Sequence, residues 1–129
     1  MASRIRLVGS FGLSAALLFA ATGCDNPSVS SKESEIGGNP LRGAELIESV
    51  GCGGCHIIPG INDAEGLVGP PLNHMGKRVF IAGVLRNTPE NMIHWLRNPQ
   101  AVVPNNAMPD MGLSEADARD IAAYLHTLE

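Results

Sequence analysis

Large aromatic side chains are scarce in this sequence: they make up 4% of its 129 residues, as one tryptophan, one tyrosine and three phenylalanines. A small domain buries a smaller fraction of its surface than a large one, so it depends on bulky side chains to fill its core. A chain with so few rings has a packing shortage, which an embedded prosthetic group would relieve.

Basic residues and long apolar runs are also in short supply. Nine lysines and arginines stand against 13 aspartates and glutamates, and the two lysines are Lys32 and Lys77. A surface that binds nucleic acid carries an excess of positive charge, so this composition argues against nucleic acid as a partner. The longest uncharged apolar run, Leu7 to Thr22, is about 16 residues, short of the roughly 20 that span a bilayer as a helix.

The amino-terminal segment has the pattern of an export signal. Arg4 and Arg6 precede the apolar run, which predicts a secretory signal peptide over residues 1–23. A permanent transmembrane anchor is the weaker alternative because the run is too short. Ala21, Thr22, Gly23 and Cys24 then resemble the lipobox of bacterial lipoproteins, which implies lipidation of Cys24; the alternative is ordinary secretion with an unmodified cysteine.

Residues 24–38 combine that cysteine with a polar, serine-rich stretch and predict a flexible tether to a domain over residues 39–129. Asp25 resembles the inner-membrane retention signal of some Gram-negative lipoproteins. The predicted location is therefore the periplasmic side of the inner membrane, or the outer face of the cell membrane in a monoderm bacterium.

Capping residues and apolar spacing predict three helices in that domain. Asn39 and Pro40 begin a helix over Pro40–Val50 that Gly51 ends; Thr88 and Pro89 begin another that ends before Pro99; Ser114 begins a carboxyl-terminal helix. Residues 57–72 and 98–112 are predicted to be irregular, and Val79–Leu85 a connector rather than a strand. The expected fold is all-α, with three to five helices and long loops wrapped around a central cofactor.

The sequence GCGGCHIIPG at residues 51–60 carries the strongest chemical signal. CxxCH is the attachment signature of c-type haem, and in a helical turn Cys52, Cys55 and His56 would lie on one face. A thioredoxin-like dithiol would need a βαβ pattern, which the sequence lacks. A zinc site would need a fourth ligand, and no second cysteine pair is present.

A haem iron that transfers electrons takes a second axial ligand, and a thioether raises its potential. The candidates are Met75, Met92, Met108 and Met111. Met92 lies on the apolar side of a predicted helix, which favours core packing. Met108 lies in a proline-bounded loop that could bring a side chain to the far side of the iron. Histidines 74, 94 and 126 are also possible ligands, but isolated histidines are usually solvated.

The segments GCGGCH, GPPL and PNNAMPDMGLSEADARDIAAYL together resemble a class I (monohaem) bacterial cytochrome c over nearly all of residues 39–129. The resemblance implies one haem c attached through Cys52 and Cys55, with His56 and Met108 as the iron ligands. It also implies that Met111 covers the haem edge.

The same resemblance implies further cofactor-binding residues. The Pro70 carbonyl would accept a hydrogen bond from the His56 ring, Leu72 would pack on the haem, and Arg78, Trp95 and Asn106 would face its propionates. The alternatives are a simple turn at Pro70, a solvated Arg78 and a core tryptophan at Trp95.

One departure from the family spacing concerns the helix contact. An apparent extra residue before Cys52 leads us to expect that Ala44 or Ile47, instead of Gly43, forms the contact between the terminal helices.

The function that the resemblance implies is one-electron transfer in a respiratory chain, without catalytic residues. A terminal oxidase is the expected acceptor and a quinol-oxidising complex the expected donor, both membrane-bound. The alternatives are a haem-containing accessory subunit of a membrane complex and a small peroxidase-like enzyme. The two lysines do not suffice for a positive ring around the haem edge, so docking by strong charge steering is not expected.

Overall fold

The structure, a computed structural model, describes residues 36–129, which from Asn39 onwards form a mainly helical fold. Its α-helices are α1 (Pro40–Val50), α2 (Pro89–Arg97), α3 (Pro99–Val102) and α4 (Glu115–Thr127). Two single turns of 3₁₀ helix span Cys52–Gly54 and Met75–Lys77, and a β-hairpin pairs β1 (Phe80–Ile81) with β2 (Leu85–Arg86). The all-α fold with long loops is confirmed. The predicted signal peptide and Cys24 lie outside the described residues.

Local capping explains why three of the helices begin where the sequence predicts. The Asn39 side chain accepts hydrogen bonds from the backbone N–H groups of Leu41 and Arg42, and Thr88 and Ser114 cap α2 and α4 in the same way. Gly51 ends α1 in the left-handed conformation, with φ 85°.

The terminal helices pack closely through Gly43, which corrects the prediction that Ala44 or Ile47 replaces it. A Cβ atom on Gly43 would lie 2.7 Å from the carbonyl carbon of Asp120, so α4 approaches the backbone of α1 directly. Ile47 is also buried, but one turn further along α1. The apparent extra residue before Cys52 therefore does not move the helix contact away from Gly43.

Residues just before α1 belong to the folded part. Ile36 is buried in the core, and a Cβ atom on Gly38 would lie 3.1 Å from the Ala123 side chain of α4. The packed domain thus includes Ile36 and Gly38, which the sequence analysis assigned to the tether. None of the helices in residues 36–129 has the length and apolar character needed to span a membrane.

Two short elements were missed by the sequence analysis. Val79–Leu85 contains β1 and the start of β2, so the prediction of a connector without strands is wrong. Ala82 and Gly83 form the turn of this hairpin, both with positive φ. The four-residue helix α3 lies in the stretch predicted to be irregular. Neither strands of two residues nor a helix of one turn are long enough to show a hydrophobic period.

Candidate cofactor-binding site

A single turn of 3₁₀ helix places the two cysteines and the histidine on one side of the backbone. The N–H groups of Cys55 and His56 both donate to the carbonyl oxygen of Cys52, each over 3.1 Å. Both thiols are free and half-buried, and burial raises the pKa of the Cys52 thiol. The predicted grouping of Cys52, Cys55 and His56 is therefore present in the backbone geometry.

The His56 ring is held in one orientation by the backbone of the following loop. Its Nδ1 atom lies 2.8 Å from the carbonyl oxygen of Pro70, which is the contact that the family resemblance implies. A carbonyl oxygen can only accept, so Nδ1 carries the proton and Nε2 keeps a lone pair for a metal.

Gly69 makes that orientation possible, and sequence reasoning did not identify its role. A Cβ atom on Gly69 would lie 2.6 Å from Nδ1 of His56 and closer still to Cε1. The Gly69 N–H also donates to the Cys55 carbonyl oxygen over 2.8 Å. The loop thus fits flat against the imidazole only because residue 69 has no side chain; the signal available in the sequence was a glycine directly before two prolines.

Met108 lines the same cavity as Cys52, Cys55 and His56, and lies in the loop between α3 and α4. It is half-buried and packs against the core, and its N–H donates to Oδ1 of Asn106 over 2.7 Å. The Asn106 amide donates to the carbonyl oxygens of Pro99 and Val103 over 2.9 and 2.6 Å. Because the Asn106 amide donates to two backbone carbonyl groups in this structure, its expected contact with a propionate stays a prediction.

One cavity of about 380 Å³ joins these groups. Its volume is in the range of small-molecule and cofactor sites. Its wall is almost entirely apolar, and all nine predicted cofactor-binding residues line it, namely Cys52, Cys55, His56, Pro70, Leu72, Arg78, Trp95, Asn106 and Met108.

The other candidate ligands occupy different positions. Met92 is 1% exposed and contributes to the core rather than to the wall of this cavity, whereas Met75 and Met111 both line it. His74 and His94 are exposed, and neither they nor His126 line the cavity.

Arg78 supplies positive charge at the cavity wall. Its guanidinium donates to the carbonyl oxygens of Pro71 and Asn73, the second over 3.1 Å. Among residues 36–129 no carboxylate lies within ion-pair distance of it, so its charge could serve an anionic group of a bound cofactor.

The β-hairpin forms one rim of the cavity, which the sequence analysis did not anticipate. Phe80, Ile81 and Ala82 line the wall, and Phe80 is half exposed. Val68, on the loop before Gly69, is 69% exposed and lines the wall as well. The mouth of the cavity is therefore bordered by apolar side chains.

The chemistry of these residues fits a haem. Two thiols, an imidazole with a free lone pair and a thioether meet at one apolar cavity, and an arginine at the wall suits a carboxylate. The scarcity of aromatic side chains is consistent with a fold in which a flat cofactor fills this space.

Comparisons with known proteins identify relatives that share this domain. The chain is 37% identical over 89 residues to cytochrome c oxidase subunit 2 of Alkalihalophilus pseudofirmus, 34% over 89 residues to that of Bacillus sp. strain PS3, and 32% over 92 residues to that of Bacillus subtilis. These matches cover 66–68% of this chain but only 25–26% of the relatives. The chain thus spans about a quarter of the length of these curated relatives.

The family model for cytochrome c matches residues 41–129, from the first turn of α1 to the end of the chain. This match covers more than half of the sequence and includes every residue that lines the cavity. A cytochrome c domain implies covalently bound haem c and indicates an electron-transfer haemoprotein. The chain belongs to the cytochrome c family, as a class I c-type cytochrome.

Proposed function

We propose that this protein is a membrane-anchored, one-electron carrier of a respiratory chain that delivers electrons to a terminal oxidase. The observation that carries the proposal is the convergence of Cys52, Cys55, His56 and Met108 on one apolar cavity. The two thiols would hold haem c by adding their S–H bonds across its two vinyl groups. Haem c, when bound, supplies the Fe(III)/Fe(II) couple.

The side chains around the cavity have three tasks in this proposal. His56, with its proton fixed on Nδ1 by Pro70, would hold the haem iron through Nε2, and Met108 would hold it through its thioether. A thioether opposite a histidine favours ferrous iron and so raises the reduction potential. The apolar wall, which includes Leu72 and Trp95, keeps water away from the ligands.

The membrane location follows from the predicted lipobox rather than from the described residues. Lipidation of Cys24 would hold the domain at the membrane surface, and the segment before α1 would limit its search to membrane-bound partners. The expected donor is a quinol-oxidising complex. An oxidase as acceptor is supported by the similarity to three proteins that are themselves cytochrome c oxidase subunits.

The alternative is a permanent subunit of an oxidase complex, and the same similarity favours it. An exchanging carrier should separate from the oxidase when detergent-solubilised membranes are purified, whereas a subunit should remain at a constant ratio through every step. A peroxidase-like enzyme would instead need an open sixth position, which strong binding of carbon monoxide to the native ferrous protein would reveal.

The first test measures the mass and the absorption spectrum of the protein. The protein made in a host that matures c-type cytochromes should weigh one haem more than its polypeptide and lipid, and should show a sharp c-type α band when reduced. Cys52→Ala together with Cys55→Ala should leave no covalently bound haem after acid extraction. A colourless wild-type protein of polypeptide mass would overturn the proposal.

The second test concerns the anchor. Cys24→Ser should remove the lipid, so that the haem protein leaves the membrane fraction and appears in the soluble extracytoplasmic fraction. A variant that stays on the membrane as tightly as the wild type would contradict lipid anchoring while leaving electron transfer untouched.

A further inference from the structure

Both backbone polar groups of Met108 are held by side chains. The N–H donates to Oδ1 of Asn106 over 2.7 Å, and the carbonyl oxygen accepts from Nε2 of Gln100 over 2.8 Å. Met108 lies in a stretch without helix or strand, where regular secondary structure offers its backbone no partner. The position of its thioether therefore depends on two amide side chains.

Gln100 uses its whole amide on this loop. Its Nε2 atom donates to the carbonyl oxygens of Asn106 and Met108 over 2.9 and 2.8 Å, and its Oε1 atom accepts from the N–H of Asn105 over 3.1 Å. An amide side chain offers two N–H donors and one carbonyl acceptor, and here each of these has a backbone partner. Asn105 itself has positive φ, so the chain turns sharply within the segment that Gln100 holds.

We call the hydrogen bonds from Gln100 to residues 105, 106 and 108 the clamp; next to Gln100, the clamp is fixed to the core. Gln100 follows Pro99, which is among the most deeply buried residues of the described domain, and the Asn106 amide donates to the Pro99 carbonyl oxygen. Helix α3 thus gives the loop a rigid base, and the two amides join the loop to that base.

We propose that Gln100 is a positioning residue for the distal iron ligand: it holds residues 105–108 against the cavity and thereby keeps the Met108 thioether at the sixth position. This inference rests on the proposed function, in which Met108 binds the iron. Gln100 does not line the cavity. It acts through the loop backbone and not by contact with the cofactor.

The physical reason is that loss of the thioether requires the loop to open. Such local opening is governed by the few hydrogen bonds and contacts of the segment itself, and not by the stability of the whole domain. In Gln100→Glu a carboxylate oxygen replaces the amide nitrogen beside two carbonyl oxygens, so two hydrogen bonds become repulsive contacts. Gln100→Leu removes all three hydrogen bonds without adding charge.

The experiment is a titration of the ferric holoprotein with imidazole, which can bind only where the thioether has left the iron. Apparent affinity is the intrinsic affinity multiplied by the open fraction. Loss of these hydrogen bonds at an exposed amide should raise that fraction, and so tighten imidazole binding, by about fivefold. Both Gln100 variants should show this with unchanged haem content, and the weak long-wavelength band typical of methionine-ligated ferric haem should fade at lower temperature than in the wild type.

The matched control is Asn62→Ala, which removes an exposed amide side chain bonded to Glu48 and away from the cavity wall. Its imidazole affinity should equal that of the wild type. Global stability is measured in parallel by urea unfolding. If the Gln100 variants lower global stability but bind imidazole like the wild type, Gln100 is merely structural and the inference is wrong.

The outcomes also separate this inference from the proposed function. A wild-type protein without haem, or without the methionine band, refutes the proposed function. A wild-type protein with both, whose Gln100→Glu and Gln100→Leu variants keep its imidazole affinity and band, refutes only the role of Gln100.

Discussion

Nδ1 of His56 lies 2.8 Å from the carbonyl oxygen of Pro70, and Gly69, the residue before that proline, lies flat against the same imidazole ring. One dipeptide therefore sets both the tautomer and the plane of the His56 ring, the proposed proximal ligand. The loop is joined to the CGGCH turn by the bond from the Gly69 N–H to the Cys55 carbonyl oxygen, so the two segments form one unit.

We expect Gly69→Ala to disturb the proximal ligand without removing it. The new Cβ atom would lie 2.6 Å from Nδ1 of His56, so the ring or the loop must move and the bond to Pro70 must lengthen. Overpacking of this kind typically lowers the free energy of unfolding by about 1–3 kcal/mol. Urea unfolding measures that loss, and the reduction potential should shift because the hydrogen bond tunes the ligand.

Gly54→Ala is the matched control for this substitution. Gly54 lies between the two cysteines, but a Cβ atom there meets nothing within 4 Å. Its potential should equal that of the wild type. Equal potentials for Gly54→Ala and Gly69→Ala would mean that the loop does not constrain the imidazole.

A second prediction concerns pH and the junction between the terminal helices. Arg42 on α1 pairs with Asp117 over 2.6 Å and with Asp120, both on α4. The hydrogen bond from Ser114 and then the pairing with Arg42 lower the pKa of Asp117. The stabilisation from a lowered carboxyl pKa is present above the unfolded value, about 3.9, and is lost as pH falls through the folded value.

Asp117→Asn should therefore be less stable than the wild type at neutral pH, and the difference should close as pH falls below the unfolded pKa and through the lower folded one. Urea unfolding of both proteins over this pH range measures it. In an Arg42→Leu background the same substitution should have a smaller effect at neutral pH, because one of its two partners is gone. A gap that stays constant down to the lowest pH would show that the ionised form of Asp117 is not what stabilises the junction.

Features fixed by neighbouring residues could be predicted from the sequence. Asn39, Thr88 and Ser114 cap their helices through hydrogen bonds that span three residues or fewer, and the CxxCH turn is equally local. Cys52, Cys55 and His56 were identified from the local CxxCH motif, whereas the other residues assigned to the cofactor depended on the family resemblance; all nine line one cavity.

Features that depend on distant contacts could not be predicted in this way. The spacing from Gly43 to Cys52 suggested another helix contact, but the close approach to Asp120 depends on how α4 lies across α1. The clamp at Gln100 depends on a four-residue helix and a sharp turn at Asn105, neither of which has a periodic pattern. Ala82 in the hairpin turn has positive φ, a conformation that alanine seldom adopts, so the residue type did not predict the turn.

The third prediction separates the two methionines of the distal loop, both of which line the cavity. Met108→Ala should abolish the weak long-wavelength band of ferric haem while the covalent haem remains, because the thioether ligand is lost. Met111→Ala should keep the band, since it removes only apolar cover. The reverse result would reassign the ligand to Met111.

The fourth prediction concerns how the proposed carrier would recognise an oxidase. Charge steering accelerates association by roughly 10 to 10³ and declines as salt shortens the Debye length from about 30 Å at 0.01 M to about 8 Å at 0.15 M. Around the cavity mouth this domain instead exposes apolar side chains such as Val68, and Lys77 is its only lysine. We therefore expect the second-order rate of electron transfer to oxidase-containing membranes to change less than about threefold over that range of salt.

Val68→Ser should lower the same rate by about fivefold, the effect of losing about 1 kcal/mol, if partners contact the apolar side chains at the cavity mouth. Leu41→Ser is its matched control, since Leu41 on α1 is 65% exposed, against 69% for Val68, but does not line the cavity. It should leave the rate unchanged. Apolar contact at the cavity mouth requires a rate that is insensitive to salt and sensitive to Val68. A tenfold fall in rate with salt would therefore mean that the partner recognises charge. Equal losses of rate in the two variants would mean that it binds another face of the domain.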